Sequence, residues 1–214
     1  MAASVISICN MALARIGVSS FISSLSEASN EARVCALFYD QMRDYALRDY
    51  PWNFANKRMA LSEAGDAPTN WEYMYVYPSD CLKARAIVPP GLRAPRSDQR
   101  IPFETGYYDG QRVIFSNQAQ AELIYTTRIE DPTIFDPMFT SALSYLIASE
   151  IAMPLSVQPA VAKQARDAYA LVSSAAAASN MTESTEQPAP DSEFVAIRGV
   201  LDGQQPNSSI VYGG

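Results

Sequence analysis

The 214 residues include no histidine, so the chemistry open to this chain rests on carboxylates, arginines and aromatic rings. Ser-His-Asp and Cys-His nucleophiles, imidazole metal sites and histidine pH switches are excluded at once. One carboxylate stands out by its spacing. Glu150 follows Leu143 by seven residues, and seven helical steps of about 100° return to within roughly 20° of the same direction. It therefore shares a stripe with Leu143, Leu146 and Ile147. A carboxyl on such a stripe has two roles open to it. As a general acid in a water-poor site it would serve a peptidoglycan-cleaving glycosidase, which also needs a second carboxylate. As half of an ion pair it would bridge helices or subunits, with Arg15, Arg33 or Lys163 as candidate cations. Glu27 and Glu31 read instead as first-turn residues favoured by a helix dipole.

The segment Lys83 to Arg112 holds six Lys/Arg. Arg93, Arg96 and Arg100 beside Phe103, Tyr107 and Tyr108 could bind single-stranded nucleic acid by pairing charge with stacking. The same residues also describe a solvated β edge whose charges discourage aggregation. Nine glycines in 214 residues include no phosphate-cradling loop, and zinc spacings, calcium loops and nucleophile elbows are missing. No cofactor is expected. Cys9, Cys35 and Cys81 are too scattered for a disulfide framework and read as buried small hydrophobes in a reducing cytoplasm.

Four helices are needed to position these groups. Val5, Ile8, Cys9, Ala12, Leu13 and Ile16 make the first face, with Ser4 as cap and Gly17 at the left-handed end. Ser26 or Ser29 caps the second, whose face is Val34, Leu37, Phe38, Met42 and Tyr45. Pro51 stops it. Asp136-Pro137 opens the third, with Phe139, Leu143, Leu146 and Ile147 inward. Gln158-Pro159 opens the fourth, carrying Val161, Ala165, Ala168, Tyr169 and Val172. Between the pairs the period changes to two. Trp71–Tyr77, Ala84–Val88 and Ala121–Thr127 read as strands, and Phe103–Tyr108 with Gln111–Phe115 as a hairpin turned by Asp109-Gly110. Neither helix pair can bury its faces alone. The expected fold is α+β: a four-helix-type bundle from 1–60 and 132–180, a small antiparallel β domain inserted at 61–131, and an extended tail at 181–214.

That tail is Ser/Thr/Glu/Pro-rich at first and carries one basic residue against five acidic ones over 182–214. It also holds two apolar clusters: Phe194, Val195, Ile197, Val200 and Leu201, then Ile210, Val211 and Tyr212. A plain linker needs neither, so the segment is expected to fold on a partner. The net charge of −7 argues against tight DNA binding. No run approaches the roughly 20 apolar residues that cross a membrane.

Residues 19–61 run from a serine/leucine turn through a long helix carrying Cys35, Tyr39, Arg43 and Asp44 into Pro51-Trp52-Asn53-Phe54-Ala55. With Tyr77-Pro78-Ser79-Asp80-Cys81-Leu82 and Phe135-Asp136-Pro137-Met138-Phe139, this pattern resembles the head-to-tail adaptors of short-tailed, podovirus-type phages, the tail tubular protein A or gatekeeper group. The resemblance spans about residues 3–180 and implies a non-enzymatic virion protein of the phage neck. Such a subunit forms a ring of about twelve copies between the portal protein and the tail nozzle protein. The helices would build the ring, the β region would hang from it, and the C-terminal segment would reach along the portal. The DNA would pass through the lumen during retention and ejection without specific binding, a passage that a negative wall favours. Tyr50, Pro51, Trp52 and Phe54 are assigned to a structural hinge where the second helix turns into the β domain.

Overall fold

A computed structural model describes residues 3–183 apart from 94 and 96. The expected tail residues Phe194 to Leu201 and Ile210 to Tyr212 lie outside the described residues, as does Arg96. The fold is α+β, with four helices and two small antiparallel sheets among the described residues.

Each of the first three helices begins where a side chain takes up orphaned N–H groups. Helix α1 (Val5–Arg15) starts in a reciprocal pair, Ser7 N–H donating to Ser4 Oγ and Ser4 N–H to Ser7 Oγ, and ends at Gly17 with φ +78°. Ser29 Oγ caps α2 (Asn30–Asp49), and Asp136 caps α3 (Pro137–Ile151) through Met138 and Phe139 N–H. Helix α3 is buried nearly all round, through Phe139, Leu143, Ser144, Leu146, Ile147, Ser149 and Ile151. A helix apolar on every side needs neighbours on every side, and α1, α2 and α4 (Pro159–Glu183) supply them.

The face of α2 is the expected one in part: Val34 is buried, and Phe38 and Met42 pack half-buried against the helical core. Its deepest residues are Ala32, Cys35, Tyr39, Arg43, Ala46 and Leu47, while Leu37 is 64% exposed and Tyr45 53%. The buried row steps by three or four residues from Ala32 through Cys35, Tyr39 and Arg43 to Ala46, which leaves Leu37 and Tyr45 beside it on the flank.

Between α2 and α3 the described residues make seven strands. The sheet β1 (Asn56–Ala60), β7 (Glu122–Thr127), β4 (Cys81–Val88) lies beside a second in the order β2 (Glu63–Gly65), β3 (Tyr73–Val76), β6 (Gln111–Ser116), β5 (Phe103–Tyr108). Tyr75 and Ile114 from the second share one core with Ile87, Leu123 and Tyr125 from the first. Met74, Val113 and Phe115 occupy the opposite face of the second, covered by Trp71, Ala64 and Ala67. Asp109 and Gly110 both have positive φ, +48° and +76°, as the type I′ turn requires. Strand β1 starts at Asn56, ahead of the expected boundary at 61, and α4 runs on to Glu183, past the expected end at 180.

Candidate functional site: the junction between helices and sheets

Aromatic and charged residues from several segments meet at the seam between the helical part and the β part. The chain crosses that seam twice, outward at 50–56 and back at 127–136, and the two crossings meet in the antiparallel pair Asn56 and Thr126. Tyr50 is extended (φ −124°, ψ 148°) because Pro51 forbids another helical turn. Trp52 then folds under α2. Its indole Nε1–H donates to the Ala46 carbonyl at 2.9 Å, in the last turn of the helix, and the side chain is 2% exposed. Its ring stands edge-on to Phe139 with centroids 5.0 Å apart and to Tyr50 at 5.5 Å. Phe54 meets Phe139 at 5.2 Å and Phe135 at 6.0 Å, and Phe135 meets Phe139 at 4.8 Å. The expected hinge residues Tyr50, Trp52 and Phe54 are thus brought together, and Phe135 and Phe139 join them from the returning crossing. Their place in the sequence as the opening of α3 gave no sign of this partnership.

Polar groups tie the same seam. Arg43 is 6% exposed and pairs with Asp40 at 2.8 Å and Asp44 at 2.9 Å. The other oxygen of Asp44 accepts from Arg128, just past β7, at 2.9 Å. Arg85 on β4 donates to the Arg48 carbonyl at the end of α2 and to Thr126 Oγ1, both at 2.9 Å. Burial lowers the pKa of this guanidinium, with the Asp49 charge opposing. Arg48 in turn donates to the Leu82 carbonyl. At the start of β4, Asp80 accepts from Lys57 Nζ at 2.7 Å, Tyr125 OH at 3.0 Å and Thr127 Oγ1 at 3.1 Å. Burial pushes the Asp80 carboxyl up, but these three donors outweigh it and hold the group below the usual carboxylate value. Tyr77 stacks under the Arg112 guanidinium, 3.8 Å from the ring centroid, and burial pushes its phenol up to about 12.

Glu150 sits elsewhere, and its partner corrects the expectation. It pairs with Arg166 of α4, with side chains 28% and 64% exposed, rather than with Arg15, Arg33 or Lys163. Arg15 lies over the Tyr145 ring, 3.3 Å from its centroid, and donates to Ser141 Oγ at 3.1 Å. Arg33 and Lys163 are exposed. Glu150 lines a shallow cleft of about 220 Å³ with Met42, Tyr45, Leu146, Arg166, Tyr169 and Ala170. One carboxylate lines it, where glycoside cleavage calls for two. The sixteen-residue interval to Arg166 spans a helix end and a turn, which hid the pair from any spacing rule.

The basic segment is divided in use. Arg85 and Arg112 are taken up by the contacts above, Arg93 and Arg100 are exposed, and Tyr107 is 80% and Tyr108 46% exposed at the hairpin tip, with Phe103 half-buried. Cys9, Cys35 and Cys81 are buried free thiols. A hydrogen bond with Cys35, then burial, push the Cys9 thiol far up. Among the described residues no cluster of three or more Cys, Asp or Glu could hold a metal ion, and no helix is long and apolar enough to cross a membrane. The chain matches no protein-family model and no curated protein.

Proposed function

We propose that this chain is a non-catalytic structural adaptor of a short-tailed phage particle. In this reading the four helices act as a four-helix-type bundle that builds a ring, from which the inserted β domain hangs. The ring joins the portal protein to the tail nozzle protein, and the DNA runs through its lumen. The observation that carries the reading is the junction. Trp52 and Phe54 of the PWNFA box, Phe135 and Phe139 of the FDPMF box, and the Arg43-Asp44 pair of α2 meet at one seam. The packing of these two boxes against one another is what supports the reading. The net charge of −7 adds support, since a negative wall lets phosphates slide.

The apolar clusters Phe194 to Leu201 and Ile210 to Tyr212 are proposed to dock on the portal. Deleting residues 182–214 tests this. The shortened protein is expected to keep its circular dichroism and melting transition and to stop co-sedimenting with portal rings. Undiminished co-sedimentation would remove the tail from the binding role.

A further inference from the structure

We infer that an arginine latch on the last turns of α2 sets the angle of the β unit to the helices, and that releasing it lets the unit swing about its paired crossings. The helical core and the β cores are separate apolar clusters. Leu82 and Ile129 are the β-side residues that pack against the helical core, both half-buried. Relative motion is the default for units joined by so little apolar surface. The aromatic cluster clamps both crossings on the helical side only, so it anchors the pivot without fixing what hangs beyond it.

What fixes the angle is polar and converges on two residues of α2, Asp44 and Arg48. Asp44 reaches Arg128, the Arg48 side chain reaches the Leu82 carbonyl, and the Arg48 carbonyl takes Arg85. The geometry suits a latch for two reasons. The carbonyls of a last helical turn lack intrahelical donors, so Arg85 satisfies a group that would otherwise turn to water. Asp44 is held on the helical side by buried Arg43, so Arg128 closes on an immobilised carboxylate. The Asp44–Arg128 pair is also partly exposed, at 25% and 43%. A pair of that kind contributes little and is weakened by salt, so water can replace it when the unit moves. The latch lies within one subunit and needs no portal.

The test is a spin-label distance distribution on the full chain. Labels are placed at Gln164→Cys on α4 and Gln111→Cys on β6, both exposed positions, while the three native thiols are buried. The unaltered latch should give one narrow distribution. Arg85→Gln with Arg128→Gln should broaden it at least twofold while far-ultraviolet circular dichroism stays the same. Should that pair of changes unfold the chain, Arg48→Ala with Arg128→Gln removes two exposed arms and leaves Arg85 on the Arg48 carbonyl, and a smaller broadening is expected. A distribution of unchanged width in either folded variant would overturn the inference.

Discussion

Replacing Trp52 with alanine probes the junction most sharply. The indole is 2% exposed and packs against Tyr50, Phe54 and Phe139. Truncating so large a buried side chain costs about 3–5 kcal/mol through lost transfer energy and the cavity left behind. The Ala46 carbonyl also loses its Nε1–H partner, a deletion of about 1–3 kcal/mol when the acceptor stays dry. Part of that is already contained in the truncation figure, so the sum is not simply additive. For a unit of this size 1 kcal/mol moves the midpoint by roughly 2–4 °C, so Trp52→Ala should lower it by roughly 6–20 °C. Trp52→Phe separates the two contributions. It keeps much of the ring contact and loses the hydrogen bond, so its loss should be confined to about 1–3 kcal/mol. Urea unfolding followed by circular dichroism gives both numbers on one scale. A midpoint within 3 °C of wild type for Trp52→Ala would refute the placing of this ring as the clamp of the crossings.

Other consequences follow from the same contacts. Asp80 has a depressed folded-state pKa, so its contribution is fully present above its unfolded value near 3.8 and is lost as pH falls through the lower folded value. Asp80→Asn should therefore flatten the loss of stability as the pH falls below 3.8, read as melting midpoints along an acid series. Glu150→Gln removes an ion pair whose arginine is exposed and whose carboxylate is partly so, and should change stability by no more than about 1 kcal/mol. The same variant run beside wild type on a peptidoglycan zymogram should behave identically, and clearing by the wild type alone would reopen the glycosidase alternative.

Local signals in the sequence were the readable ones. Ser4, Ser29 and Asp136-Pro137 announce helix starts because their side chains or ring meet orphaned N–H groups within three residues. Asp109-Gly110 announces its hairpin because two consecutive positive φ angles exclude most other residues. What escaped depends on tertiary placement. Strand β1 is exposed at all five positions, so it shows no alternation between core and solvent, and β2 is only three residues long. Leu37 and Tyr45 are apolar, yet they lie beside the buried row of Cys35, Tyr39, Arg43 and Ala46 rather than on it, and only the neighbours that α2 meets decide which row is covered. At the junction, Tyr50, Trp52 and Phe54 were legible from Pro51. Phe135, Phe139, Arg85 and Arg128 were not, since they arrive from segments 30 to 90 residues away.

Native mass spectrometry of the full chain, alone and after mixing with portal rings, tests the adaptor reading most directly. The expected result is a 23.4 kDa monomer alone and a closed ring of about twelve copies bound to the portal after mixing. A chain that stays monomeric and unbound in the presence of portal rings would contradict it.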